Sequence, residues 1–583
     1  MDSEIEIKPY NFNEENLVNI SQKYINWPVV YLINNKDKVY IGETSNIKDR
    51  MKQHLTNPDR EDLEIISIIF DNQFNKSAIL DIEQNLIRMF YADSRFDSSK
   101  GILNKNNGQS SKHNYYQREM YLNKIKDIWS KLKDIKLVNS SYNTIINSNI
   151  YKYSPFTSLT NEQEHIMCDI INNILDCLEG KSSNKTSIVT GLAGTGKTIL
   201  AINLIYNIMN SDYSNIDTIK DGDDIEIELK SEYDKTIHRL RNYVLRNGKI
   251  EIGFVVPMTA LRETLDEVFR SINRKMLRNI VIAPGDVTKK DYDVIICDEA
   301  HRLAQYKNIA NTGYFKKKCE ELGIDEKTAS QLDWIKMRSK YNVFFYDSNQ
   351  TIKGSDISKE IMDELIHENM DKVYSLTTQL RCKSGEAFLD NIEKLFNCSL
   401  KNKIESSKDF TIKVCDDPNK MINKIKNLDA EVGGLCRVVA GNDWEWETEG
   451  VSYDEIKRRR LYDIDLNGEK YIWNHTRNGW ILNSNSINEI GCVHTVQGYD
   501  LNYVGVIIGP DLSYNENENK LDVHIDALKD IYVKKSMSEA KVKEYIINTY
   551  KVLLERGIKG CYVYACDESM QRYLKKFIET DME

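Results

Sequence analysis

The sequence predicts an α/β protein in which a small mixed unit precedes two larger lobes built on parallel sheets. Three observations point there. The 583 residues exceed what one core holds, since single cores stop growing near roughly 250 to 300 residues. Thr186 to Thr190 is a short apolar strand that runs into a glycine-rich loop and then a helical pattern, Ile199 to Met209. A second apolar strand, Val294 to Cys297, ends in adjacent carboxylates.

Composition narrows the class. Hydrophobic content of 41% with 29% charged residues is that of a soluble globular protein, and the longest apolar runs are strand-length rather than membrane-length. Met1 to Tyr10 carries Asp and Glu where a secretory signal needs a basic stretch and then an apolar one, so a cytoplasmic protein with no membrane partner is expected. The 11 Cys fall singly, without a CxxC pair, which argues against a zinc ribbon or a disulfide framework. A net charge of −10 confines any nucleic-acid site to a local patch.

In chain order, Val29 to Ile33 and Lys38 to Gly42 are β-rich runs joined by Asn34-Asn35-Lys36-Asp37, which is hairpin chemistry. A helix is predicted from about Ile47 to Leu55 and a strand from Glu64 to Phe70. A second helix, about Lys76 to Tyr91, puts Ile79, Ile82, Leu86 and Phe90 on one stripe. Residues 114 to 137 read as a connector helix, a spacer or a docking element, with Ile125, Ile128, Leu132 and Ile135 recurring at three and four residues. A polar stretch near residues 139 to 149 marks the boundary before the longer α/β pattern. The domains expected are 1–110, a connector over 111–150, a first lobe over 151–375 and a second over 376–583. Two segments read as inserts. Residues 211 to 249 look like a charged, solvated excursion. Residues 441 to 486 hold four of the seven Trp and Lys457-Arg458-Arg459-Arg460; they read either as a base-stacking, phosphate-gripping surface or as a buried hairpin in which Trp444 and Trp446 alternate as strand residues do.

The loop after the first strand reads Gly191-Leu192-Ala193-Gly194-Thr195-Gly196-Lys197-Thr198. In this strand-loop-helix context it is a phosphate loop: Gly191, Gly194 and Gly196 let backbone N–H groups close around a phosphate, Lys197 supplies charge, and Thr198 offers a hydroxyl to Mg²⁺. Asp298 and Glu299, adjacent at the end of a buried strand, are costly there unless a divalent ion is near. Asp298 would hold Mg²⁺ through its water shell and Glu299 would orient and deprotonate water.

This segment resembles the Schlafen group 3 DNA/RNA helicase domain, related to superfamily-one helicases. The resemblance runs through Leu159-Thr160-Asn161-Glu162-Gln163, where Gln163 would bond adenine, and Val255 to Thr259. It continues through Tyr346-Asp347-Ser348-Asn349-Gln350, where Gln350 would sense the γ-phosphate, and Thr378-Gln379-Leu380-Arg381. His494 to Asp500, with Gln497 and Gly498, and Asn548 to Gly557, with Arg556, complete it. It implies ATP as cofactor, nucleic acid as partner, and Arg381 and Arg556 reaching the γ-phosphate from the second, RecA-like lobe.

Val29-Val30-Tyr31 and Tyr40-Ile41-Gly42, followed by Arg50, His54, Glu83 and Asn104, resemble the GIY-YIG endonuclease family, with Val-Val where Gly-Ile is usual. Independently of family, Glu83 sits inside an apolar stripe, where a carboxylate needs a divalent ion, an ion pair with Arg50, or a face turned to water. The resemblance implies hydrolysis of a phosphodiester with Glu83 holding Mg²⁺ or Mn²⁺, Tyr31 or Tyr40 positioning or deprotonating water, and Arg50 stabilising the transition state. The expected protein is an ATP-driven motor carrying its own endonuclease, with DNA favoured over RNA and a role in phage defence, restriction or repair. An ATPase switch that regulates cutting without unwinding, and a nucleic-acid-binding scaffold with an inactive nuclease unit, are the alternatives. The sequence is compatible with a homo-oligomer without determining one.

Overall fold

The computed structural model describes residues 5–97, 100–104, 115–192, 194–211, 231–272, 279–306, 309, 312–348, 355–378, 386–476, 479–496 and 499–582. The chain divides into two compact units, Met1–Cys168 with Ile202–Leu245 and Thr264–Ile280, and Asp169–Ala201 with Arg246–Glu263 and Val281–Glu583.

In the first unit, β1 (Glu6–Asn11), β2 (Val29–Asn34), β3 (Val39–Thr44) and β4 (Ile65–Phe70) form an antiparallel sheet in the order β1-β4-β2-β3. The hairpin sets Tyr31 opposite Gly42, and a Cβ at residue 42 would lie 2.4 Å from the Tyr31 hydroxyl, so only glycine fits. The Ile47–Leu55 helix starts on Asn46 and the Lys76–Ala92 helix on Asn75, whose side chain accepts from Ala78 N–H at 2.9 Å. The predicted stripe of Ile79, Ile82, Leu86 and Phe90 is buried.

The 114–137 stretch proves to be a docking element: over Arg118–Asp134, Ile125, Ile128, Trp129 and Leu132 enter the core of this unit, with Trp129 edge-on to Phe90 at 5.4 Å. Phe156 stacks on Tyr91 at 4.4 Å in the same cluster. The solvated excursion expected over 211–249 is corrected in its second half. Glu232–Asn247 is a helix that buries Thr236, Leu240 and Val244, a three-residue stripe at a spacing of four beneath a charged outer face.

In the second unit, β5 (Thr186–Gly191), β6 (Ile252–Val255), β7 (Val281–Ile282), β8 (Tyr292–Cys297), β9 (Ser339–Tyr346) and β10 (Val373–Leu376) form a parallel sheet in the order β10-β5-β9-β8-β6-β7. The apolar runs at its centre are what a sheet covered on both faces demands. β5 and β8 both neighbour β9, so the glycine-rich loop and the acid pair emerge side by side at the carboxyl edge, where α/β sheets bind ligands.

A second parallel sheet takes β11 (Thr411–Val414), β12 (Cys436–Ala440), β15 (Ile490–Cys492), β16 (Leu501–Ile508) and β19 (Gly557–Ala565) in the order β11-β19-β16-β12-β15. Two-stranded ribbons join β13 (Ile464–Leu466) to β14 (Glu469–Tyr471) and β17 (Leu512–Asn515) to β18 (Lys520–Val523). The strand alternation expected of Trp444 and Trp446 is corrected too: both lie outside strands and are partly buried, with Trp446 edge-on to Trp473 at 5.9 Å. Arg458 pairs with Glu455 on an exposed turn of helix, a surface ion pair.

A buried polar knot ties this second sheet. The Tyr550 hydroxyl lies 3.0 Å from Asp443 and 2.6 Å from Asp511, and the Gly509 N–H donates to it at 2.9 Å. A Cβ on Gly509 would approach an Asp443 oxygen to 1.9 Å, so the knot is closed on that side. Burial and the neighbouring Asp511 push Asp443 up to about 9, while burial raises Asp511 to about 6. No helix among the described residues is long and apolar enough to cross a membrane.

Candidate active sites

In the first unit, β2 and β3 place Tyr31 and Tyr40 with ring centroids 6.3 Å apart, and the Ile47–Leu55 helix lays His54 edge-on to both, at 5.5 and 5.1 Å. The Tyr31 hydroxyl lies 2.6 Å from His54 Nε2 and receives Arg50 Nε at 3.3 Å. Burial pushes Tyr31 well above the usual tyrosine range, and burial with the Arg60 and Arg50 guanidiniums lowers His54 to about 2, keeping the imidazole neutral.

Glu83, on the Lys76–Ala92 helix, is 9% exposed, and its carboxylate has no hydrogen bond or ion pair among the described residues. Arg50 instead bonds Tyr31 and Gln53, so the ion-pair alternative for Glu83 is not realised. Burial, then the Glu43 carboxylate, raise Glu83 to about 8 against the pull of Lys76 and Arg50. An uncompensated buried carboxylate beside a second acid is the donor set a hard divalent cation fits, because the cation repays the desolvation. Lys76 bonds both Glu43 oxygens, at 2.6 and 2.7 Å. Asn104 is turned to structure: its side chain exchanges bonds of 2.9 and 2.7 Å with the Ile41 backbone and so pins β3. Arg60, Glu43 and Lys76 escape sequence reasoning, since they sit at no motif spacing.

In the second unit the loop after β5 turns through Gly194 and Gly196, at φ of 84° and 81°, where side chains are strained. Lys197 Nζ donates to the Gly191 and Leu192 carbonyls at 2.6 and 2.9 Å and meets Asp347 at 3.1 Å, with both charged groups buried. The Thr198 hydroxyl donates to Asp298 at 2.7 Å, so a hydroxyl and a carboxylate of Mg²⁺-ligand type stand together beside the phosphate loop. Burial and the adjacent Glu299 carboxylate push Asp298 up, which a cation would reverse.

Glu299 is held in the left-handed region at φ 52°, a cost retained where structure over-determines it. Burial works to raise it, but the His301 imidazole prevails and keeps it ionised. Their closest atoms are 2.9 Å apart. His301 is a partner that the quoted Asp298-Glu299-Ala300-His301 run displayed without showing its use.

Gln163 is buried in a reciprocal cap: its side-chain oxygen accepts from Thr160 N–H at 3.0 Å while the Thr160 hydroxyl accepts from Gln163 N–H at 3.2 Å. Arg556 is 1% exposed at the foot of β19, with Nε on the Val552 carbonyl at 3.1 Å. Gln350, Arg381, Gln497 and Gly498 lie outside the described residues.

Residues 184–567, about two thirds of the chain, match the Schlafen group 3 DNA/RNA helicase domain. The chain belongs to that family. Residues 28–90 match the GIY-YIG catalytic domain. An uncharacterised protein of Saccharomyces cerevisiae is 26% identical over 422 residues, 66% of this chain and 83% of its own. Among solved structures, Bacteroides Pif1 bound to ssDNA covers 71% of this chain and 94% of its own at 11% identity and a TM-score of 0.24. Pif1 helicase from Candida albicans covers 73% and 98% at 10% identity and 0.26. Those scores are low, and the assignment stands on the family match. This Schlafen group 3 helicase is an enzyme, a helicase-type ATP hydrolase with a GIY-YIG endonuclease domain, and it acts on nucleic acid.

Proposed function

We propose that the chain is an ATP-driven nucleic-acid translocase or helicase whose motor delivers substrate to a metal-dependent endonuclease, with Mg²⁺ at both sites and Mn²⁺ as a substitute at the nuclease. The layout is residues 1–110 for the nuclease, 111–150 for the connector, and 151–375 and 376–583 for the two lobes. The observation that carries the reading is that one chain holds both donor sets: Thr198 on Asp298 beside a phosphate loop, and the buried Glu83, unpartnered among the described residues, beside Tyr31.

At the motor, Lys197 leaves its carbonyl partners for the β/γ-phosphates, Thr198 and Asp298 hold the cation, and Glu299 orients water. Gln163 offers its amide to adenine, and Gln350, Gln497 and Gly498 sense the γ-phosphate and its coupling to nucleic acid. Arg381 and Arg556 come in from the second lobe when the lobes close. At the nuclease, a divalent ion on Glu83 would supply charge neutralisation at the scissile phosphate and leaving oxygen. Tyr31, where Arg50 and His54 converge, positions the attacking water. Tyr40 packs beside it, and Arg50 stabilises charge on the phosphate. DNA is the favoured substrate over RNA, and phage defence, restriction or repair in the cytoplasm is the setting such a pairing serves.

The test is nicking of supercoiled plasmid with Mg²⁺, with and without ATP, run beside a strand-displacement assay. Metal-dependent nicking with ATP-dependent displacement supports the reading. Nicking without displacement reduces the motor to a switch, and no nicking under Mg²⁺ or Mn²⁺ overturns the nuclease assignment.

A further inference from the structure

Arg60 has no part in that scheme, yet it is where the hydrogen bonds of the nuclease site close. It ends the Pro58–Arg60 turn, which Asn57 caps by accepting from Asp59 N–H. Its guanidinium lies over the Tyr40 ring, 3.9 Å from the centroid, and its Nη1 meets Nδ1 of His54. A guanidinium has donors only, so Nδ1 must be bare and accept. The imidazole is 1% exposed between two guanidiniums, which excludes the doubly protonated form. Its one proton therefore sits on Nε2, 2.6 Å from the Tyr31 oxygen. Arg50 Nε also donates to that oxygen. Two donors thus converge on one phenol oxygen.

We propose that Arg60 is a positioning residue of the nuclease: by donating to Nδ1 it locks His54 in the Nε2–H tautomer, so that His54 donates to Tyr31 and does not receive its proton. The opposite tautomer would set donor against donor at Arg60 and make His54 the acceptor. The other charged or titratable groups facing this pair are Arg50 from the helix, Tyr40 from β3 and Glu83 from the Lys76–Ala92 helix, with the Glu43–Lys76 pair behind Glu83. The lock rests on donor chemistry; only its value to catalysis rests on the nuclease reading above.

The experiment uses the full chain labelled with ¹⁵N-histidine, with the His54 signals identified by their loss in His54→Gln. Arg60→Lys and Arg60→Met compare side chains of similar length, one a pure donor and one not. Wild type and Arg60→Lys should show Nε2–H. Arg60→Met should show a mixture or Nδ1–H and lose plasmid nicking on the order of a hundredfold, with ATP hydrolysis unchanged. Nδ1–H in wild type, or an unchanged tautomer in Arg60→Met, overturns the proposal. Nicking that falls equally in Arg60→Lys and Arg60→Met while only Arg60→Met changes tautomer also overturns it. Wild-type protein that shows Nε2–H, loses it in Arg60→Met and cuts nothing leaves the lock standing and refutes the nuclease reading instead.

Discussion

The knot of Asp443, Asp511 and Tyr550 makes the stability of the second parallel sheet depend on pH in a direction opposite to that of ordinary salt-bridged acids. Asp443 titrates near 3.8 in an open chain and at about 9 in the fold, because burial and then Asp511 disfavour its charge. Between those values the native state keeps a proton that the unfolded state has lost. The stability this confers is fully present below 3.8 and drains as pH rises toward 9. Asp511, raised to about 6, adds a slope of its own below that value, so the interval from about 6 to 9 isolates Asp443. One proton gives about 1.4 kcal/mol per pH unit, a factor of about ten in the opening equilibrium. Asp443→Asn puts an amide where the protonated carboxyl stands and removes the linkage. Because a chain of this size unfolds in pieces, the measurement has to be local: hydrogen exchange of amides in β12 and β16, compared between wild type and variant at each pH so that intrinsic exchange cancels. The variant should gain on wild type about tenfold in relative protection per pH unit above pH 6. Parallel protection profiles would refute the account in which Asp443 keeps its proton in the fold.

Four further outcomes are expected. Lys197→Ala should fold normally and lose ATP turnover by orders of magnitude, since the loop backbone persists without its charge; phosphate release at the wild-type rate would displace the motor assignment. Glu299→Gln should bind ATP and turn it over slower by on the order of a hundredfold, read by nucleotide binding beside single-turnover hydrolysis. Glu83→Ala should abolish metal-dependent nicking and leave ATP hydrolysis intact; residual cutting by the purified variant would relocate the nuclease. Tyr31→Phe should impair nicking more than Tyr40→Phe, because Arg50 and His54 converge on Tyr31, and the reverse order would move the water-positioning role to Tyr40.

The chemistry at strand ends was legible because motif and context coincide. Gly191 to Thr198 follows a strand and opens a helix, and Asp298-Glu299 closes one, so local sequence carries both donor sets. Glu83 was legible for a different reason: a carboxylate inside a stripe of Ile79, Ile82 and Leu86 conflicts with its surroundings, and the fold leaves that conflict uncompensated. β1 was missed because Pro9 sits in it; β1 is an edge strand, where a missing N–H costs little. The Glu232–Asn247 helix hid its three-residue stripe behind charge. Asp347 owes its role to Lys197, 150 residues away, His301 to the left-handed backbone at Glu299, and Arg60 to a short turn that brings it back over Tyr40 and His54, and none of these has a spacing to read.

The docking of Arg118–Asp134 sets how small a piece of this protein can be inherited or transplanted. Ending the chain at residue 110 would bare Phe90 and Tyr91, the aromatic surfaces that Trp129 and Phe156 cover. A peptide cut there offers water a sticky face and invites aggregation, whatever the state of its tyrosines. Gene fusions that borrow the cutting module must therefore carry it through at least residue 156. The segment between the two activities is then not free to drift in length or sequence as a tether would, because its apolar positions are committed to the neighbour they cover.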